Sequence, residues 1–189
     1  MTLRWYIGCP KAGKTTLAKA HAAELAKLGR KRVVVVDAEG DRSFESLPPA
    51  NECEELGNVL VTHPAAVFDV LNASEDELRE LPRWIERTKN LVVLVDGAHA
   101  VLSSRAASAD DWVRIQRVHR HAKLDVLCTT HHLGGDVPQL VQALAPDLFV
   151  FRTTSPAALA VFEREYGIPP GAILRLECGS FLRVRTGFV

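Results

Sequence analysis

Near the amino end stands a run whose residue types suit one task, Gly8-Cys9-Pro10-Lys11-Ala12-Gly13-Lys14-Thr15. It fits GxxxxGK[ST] without a mismatch, between an apolar run and a helical one. Gly8 and Gly13 let the backbone curl so that N–H groups point inward at phosphate oxygens. Lys14 brings a cation to the β- and γ-phosphates, and Thr15 offers a hydroxyl to Mg²⁺. The helix that follows adds its positive end. Residues Gly8 to Thr15, with Thr16 after them, form the expected nucleotide-binding set.

Further on, Leu91-Val92-Val93-Leu94-Val95-Asp96 places a carboxylate after five apolar residues, the Walker B pattern. Asp96 and Thr15 are the expected Mg²⁺ residues, and ATP with Mg²⁺ the expected ligands. The next position holds Gly97, where many ATPases place a glutamate that polarises the attacking water. Three readings remain open. Glu39, just past Asp37, activates the water from a neighbouring strand; His99 contacts it; or the chain binds nucleotide and turns it over poorly.

These residues need a sheet whose strands end on one edge. Leu3 to Gly8, Arg32 to Asp37, Leu91 to Asp96, Leu124 to Thr130 and Asp147 to Phe151 read as strands. The near-continuous apolar runs belong to a parallel sheet covered on both faces. Asn58 to Thr62 reads as a weaker strand. Lys14 to Leu28, Asp110 to Ala122 and a short run from Asp136 to Leu144 read as helices. So does the stretch begun by Ser155-Pro156 and running to about Tyr166. Ser74 and Glu77 suit a capping box. Ile173 to Leu176 and Phe181 to Arg185, around Glu177-Cys178-Gly179-Ser180, read as a terminal hairpin.

Composition sets the outer limits. The chain has 189 residues, 47% of them hydrophobic and 24% charged, a globular profile that excludes disordered and fibrous classes. The length suits a single domain spanning residues 1–189. Lys plus Arg (23) balances Asp plus Glu (23), so nucleic acid would have to be met by a local patch or a ring of subunits. No apolar run approaches a membrane span, and no signal peptide opens the chain. Cys9, Cys53, Cys128 and Cys178 lie far apart and read as reduced thiols of a cytoplasmic protein.

With the motifs in place, the chain resembles the FtsK/HerA superfamily of DNA-pumping ATPases. Val36-Asp37-Ala38-Glu39-Gly40-Asp41 resembles the D-P-x-G-E turn of that family. Arg120, Leu124 to Thr130 and His131 resemble its R-x-x-G-I-x-hydrophobic-T-Q segment, with Arg120 and His131 eleven residues apart as in the family. Asp136-Val137-Pro138, Leu148 to Thr153 and the segment from Ile173 to Val184 resemble its later pieces. His131 stands where the family has a sensor glutamine. The resemblance implies an α/β, RecA-like P-loop NTPase of the ASCE type, with a mostly parallel sheet and a short C-terminal antiparallel hairpin. It implies ATP hydrolysis coupled to DNA translocation, with Lys14, Glu39, Asp96, His131 and Arg120 as catalytic residues and Arg120 acting on a neighbour's site.

The bare size is similar to the genome-packaging ATPases of tailless, membrane-containing viruses. That similarity implies sequence-independent contact with double-stranded DNA and a hexameric or pentameric homo-oligomeric ring. It also implies a capsid vertex partner, no membrane span, and a place in the host cytoplasm or on the virion. Two rivals stay open: a P-loop nucleoside or nucleotide kinase, with Arg152 or Arg183 in a lid-like role, and a nucleotide-binding scaffold with weak hydrolysis.

Overall fold

The computed structural model describes residues 1–40, 43–102, 109–131, 144 and 147–185. Its strands are β1 (Leu3–Ile7), β2 (Arg32–Asp37), β3 (Pro49–Ala50), β4 (Ala65–Asp69), β5 (Leu91–Asp96), β6 (Asp125–Thr130), β7 (Asp147–Phe151) and β8 (Phe181–Arg185). They form one eight-stranded sheet in the order β3-β4-β2-β5-β6-β1-β7-β8. The pairings are parallel except β7 with β8. This is the RecA-like P-loop architecture that the motifs imply, with β6 lying between the strand of the phosphate loop and the strand that ends in Asp96.

Helices α1 (Lys14–Gly29), α2 (Cys53–Thr62), α3 (Glu75–Thr88), α4 (Ala98–Leu102), α5 (Ala109–Val118), α6 (Pro156–Tyr166) and α7 (Pro170–Leu174) connect the strands. The alternation of side chains along each strand divides the core in two. Val34, Val36, Val93, Val95, Trp5, Ile7, Val126 and Cys128 face one side, packed with Leu56, Leu81, Ile85, Trp112 and Phe162. Val35, Val92, Leu94, Tyr6 and Leu127 face the other, against Ala18 and Ala22 of α1. The small residues of α1 let that helix lie close to the sheet. The same parity carries Asp96 and Thr129 to the α1 side, where Thr15 stands.

Two sequence readings are corrected. Asn58 to Thr62 is the end of α2, not a strand. Cys53, Leu56 and Leu60 are its buried residues, three and four apart as on one helical stripe. The strand comes after Pro64, at Ala65–Asp69. The β-branched run in Gly57-Asn58-Val59-Leu60-Val61-Thr62 imitates a strand, but helical burial outweighs its propensity.

The terminal segment differs as well. Ile173 lies in α7, fully buried, and β8 pairs with β7 instead, Leu148 opposite Val184 and Phe151 opposite Phe181. The antiparallel closure is there, with a partner farther back in the chain. The helix expected at Asp136 to Leu144 and the Asp136-Val137-Pro138 segment fall outside the described residues, Leu144 excepted.

Candidate nucleotide site

The loop leaves β1 at Ile7 and is pinned on both sides. Gly8 N–H donates to Thr130 O of β6 at 3.3 Å, and Cys9 N–H to Arg152 O beyond β7 at 2.9 Å. Gly13 has φ 98° and is the N-cap of α1 without a side-chain cap. The first N–H groups of the helix therefore face the loop's interior, the arrangement that receives anions. A Cβ on Gly13 would also stand 3.2 Å from Gly179 Cα. The turn before β8 lies against the loop, with Gly179 N–H donating to Ala12 O at 3.1 Å and the Cys178 thiol to Lys11 O at 3.2 Å. This outer wall escaped the sequence reading, which saw only a hairpin turn there.

Inside the loop Lys14 is 4% exposed. Its ammonium donates to Cys9 O at 2.8 Å and lies 3.0 Å from Nδ1 of His131. Nε2 of His131 is 2.8 Å from Oε1 of Glu39. His99 Nδ1 lies 3.9 Å from the same oxygen, and the two imidazole rings are 5.6 Å apart. The hydrogen bond from His131 holds the Glu39 carboxyl below its ordinary range. Burial opposes this, and the nearness of His131, His99 and Lys14 assists it. Glu39 is aimed by Asp37, whose Oδ1 accepts from the N–H groups of Glu39 (3.1 Å) and Gly40 (2.8 Å).

Asp96 is 1% exposed. Its Oδ1 accepts from Thr15 Oγ1 at 2.9 Å and from Thr129 Oγ1 at 2.6 Å. Thr129 in turn accepts from Gly97 N–H at 3.0 Å. The sequence reading missed Thr129. Its signal was an alternation in β6 that sends Leu127 and Thr129 to the face of α1. A hydroxyl and a carboxylate this close are the hard oxygen donors that Mg²⁺ takes, so Thr15 and Asp96 fit that ion.

The structure thus brings Lys14, Thr15, Glu39, Asp96, His99 and His131 to one edge of the sheet. It does not bring Arg120 there. Arg120 is exposed in the turn before β6, at the amino edge, a strand length or roughly 20 Å from the phosphate loop. Nearby, Arg114 pairs with Glu86 at 3.0 Å. Arg183, one of the lid candidates, is held on β8 by both oxygens of Asp147 at 3.1 Å.

The sheet order and this loop define a P-loop NTPase. The sequence profile of the ATPase family associated with various cellular activities (AAA) matches residues 5–130. The chain belongs to that family of ATPases.

Solved structures agree on the fold. The genome packaging NTPase B204 from Sulfolobus turreted icosahedral virus 2, in complex with ATP-gammaS, superposes with a TM-score of 0.74 at 19% identity, covering 97% of this chain and 92% of that one. In complex with AMP, B204 gives 0.74 at 17% identity, with the same coverage. VirB4 of Thermoanaerobacter pseudethanolicus gives 0.71 at 12% identity, covering 97% of this chain and 86% of that one. By sequence, no curated protein matches the chain. Among the described residues, no helix is long and apolar enough to cross a membrane.

Proposed function

We propose that the chain, as one ATPase domain over residues 1–189, is a motor that hydrolyses ATP to drive double-stranded viral DNA into a capsid. ATP sits on Gly8 to Thr16, with Lys14 on its β- and γ-phosphates. Thr15 and Asp96 hold Mg²⁺, which when bound neutralises developing phosphate charge. Glu39 accepts a proton from the attacking water while the γ-phosphoryl group leaves ADP, and the products are ADP and phosphate. His131 faces the γ-phosphate.

The observation that carries this reading is the placement of Glu39. Its carboxylate stands just past the end of β2, the strand that pairs with the Asp96 strand, close to His131 and kept ionised, where a base for water is needed. The likeness to a packaging NTPase over 97% of the chain supports the DNA half.

In a homo-oligomeric ring, hexameric or pentameric, Arg120 is available to a neighbouring subunit, because the amino edge presents it to solvent. An arginine given in trans is worth about 10³ to 10⁵ in rate. DNA contact is made to the backbone and is sensitive to salt. A capsid vertex protein would dock the ring, in the host cytoplasm or on the virion.

The test is steady-state ATPase activity with and without long duplex DNA, at two salt concentrations. Stimulation by duplex of any sequence, fading with salt, is expected. Turnover indifferent to DNA would remove the pumping half, and transfer of phosphate to a nucleoside would favour a kinase.

A further inference from the structure

His131 touches two groups of opposite charge, and their chemistry fixes where its proton sits. The ammonium of Lys14 has donors only, so Nδ1, 3.0 Å away, receives a hydrogen bond through its lone pair. The remaining ring proton then lies on Nε2, whose neighbour is Glu39 Oε1, 2.8 Å away. With Lys14 donating to Nδ1, the ring is the neutral Nε2–H tautomer.

A nucleoside triphosphate changes the demand on Nδ1. Lys14 turns to the phosphates, and Nδ1 meets oxygens that only accept. A lone pair cannot serve them, whereas an N–H can. A glutamine amide in this place would donate without titrating; an imidazole must first gain a proton. The groups facing His131 include Lys14 from α1, Glu39 from the loop after β2 and His99 from α4. Lys14 opposes a positive ring while it faces Nδ1, and Glu39 favours one throughout.

Resting on the reading of Gly8 to Thr16 as the nucleotide site, we propose that His131 takes up a proton at Nδ1 when the triphosphate draws Lys14 away. It then bridges the γ-phosphate to Glu39 as an imidazolium, and gives the proton back when phosphate leaves. His131 is thereby a positioning residue that reports the γ-phosphate to Glu39. Triphosphate affinity falls as pH rises above the histidine range, while ADP affinity does not.

The experiment is calorimetric titration with Mg²⁺ and a non-hydrolysable ATP analogue. Buffers of different ionisation enthalpy are used at pH 7.5 and 8.5, on the wild type, His131→Gln and His99→Asn. The expected result is proton uptake in the wild type approaching one per site above that of His131→Gln. The wild-type affinity should fall about tenfold per pH unit, with no such fall in His131→Gln. His99→Asn should keep the uptake, and ADP should show none in any variant. Equal proton counts in the wild type and His131→Gln, with both binding the analogue, would overturn the proposal and leave the nucleotide site standing. Absence of binding in every protein would overturn both. Histidine ¹⁵N spectra of the nucleotide-free chain supply a second check, since a protonated Nδ1 on His131 there contradicts the starting tautomer.

Discussion

The side chain of Glu39 lies over the backbone of Gly97. A Cβ added at Gly97 would stand 2.5 Å from Glu39 Cγ and 3.0 Å from Oε1, and Gly97 has φ +74°. The glycine after Asp96 and the glutamate just past the neighbouring strand are thus one arrangement. The position that holds a carboxylate in many ATPases is a glycine here, and the space is filled from the loop after β2.

Gly97→Ala tests this pairing. The left-handed backbone costs an L-residue about 1–2 kcal/mol, and the methyl group displaces Glu39. We expect kcat to fall about 100-fold, the range for loss of a positioned base, with nucleotide affinity little changed. In a Glu39→Gln background the same substitution should add little. Additive losses in kcat would show that Gly97 acts apart from Glu39.

Thr129→Val removes the hydroxyl between Asp96 and Gly97 without changing shape. The buried N–H of Gly97 loses its acceptor, a cost of about 1–3 kcal/mol. A melting temperature lower by several degrees is expected, together with weaker Mg²⁺ dependence of nucleotide binding. Wild-type values for both would mean that Asp96 is oriented by Thr15 alone.

How far the sequence carries the argument varies by residue. Lys14, Thr15 and Asp96 were legible because a phosphate cradle is local chemistry: one short loop and one strand end. Glu39 stood as one of three open readings for the water and His131 came only through resemblance, since nothing in their own segments says that β2 and β6 flank β5. Thr129 lay hidden because an alternating hydroxyl in a buried strand has many uses. The strand at Ala65–Asp69 was displaced onto α2 because Val59, Leu60 and Val61 favour extended structure while Cys53, Leu56 and Leu60 share a helical stripe. β8 was assigned the wrong partner, since antiparallel pairing across two intervening helices leaves no short-range turn signal.

Acid should act on turnover through Glu39. Its folded pKa is depressed, chiefly by the hydrogen bond from His131. The stabilisation of the carboxylate is therefore complete above the unfolded value, about 4.3, and is lost as pH falls through the lower folded value. His131→Ala removes the main downward cause while burial continues to push upward. The acid limb of the kcat profile should move to higher pH in that variant. An unmoved limb would take Glu39 out of the rate-determining proton transfer.

The four thiols should divide in two. Burial, with the Glu77 carboxylate adding to it, pushes Cys53 up to about 12, and burial alone pushes Cys128 up further. Cys178 is exposed and Cys9 half-buried in the phosphate loop. Alkylation of the native chain followed by peptide mapping should mark Cys178 and Cys9 and spare the others, with Mg-nucleotide slowing Cys9. Rapid labelling of Cys53 or Cys128 would contradict the packing described.

The contact of Gly179 with Ala12 joins two segments far apart in sequence at the phosphate cradle. Vectorial synthesis therefore lays down the cradle's floor well before its outer wall. A nascent chain still tethered to the ribosome, with residues 177–181 not yet emerged, carries an unfinished cradle, so full nucleotide grip arrives only after that turn has been made.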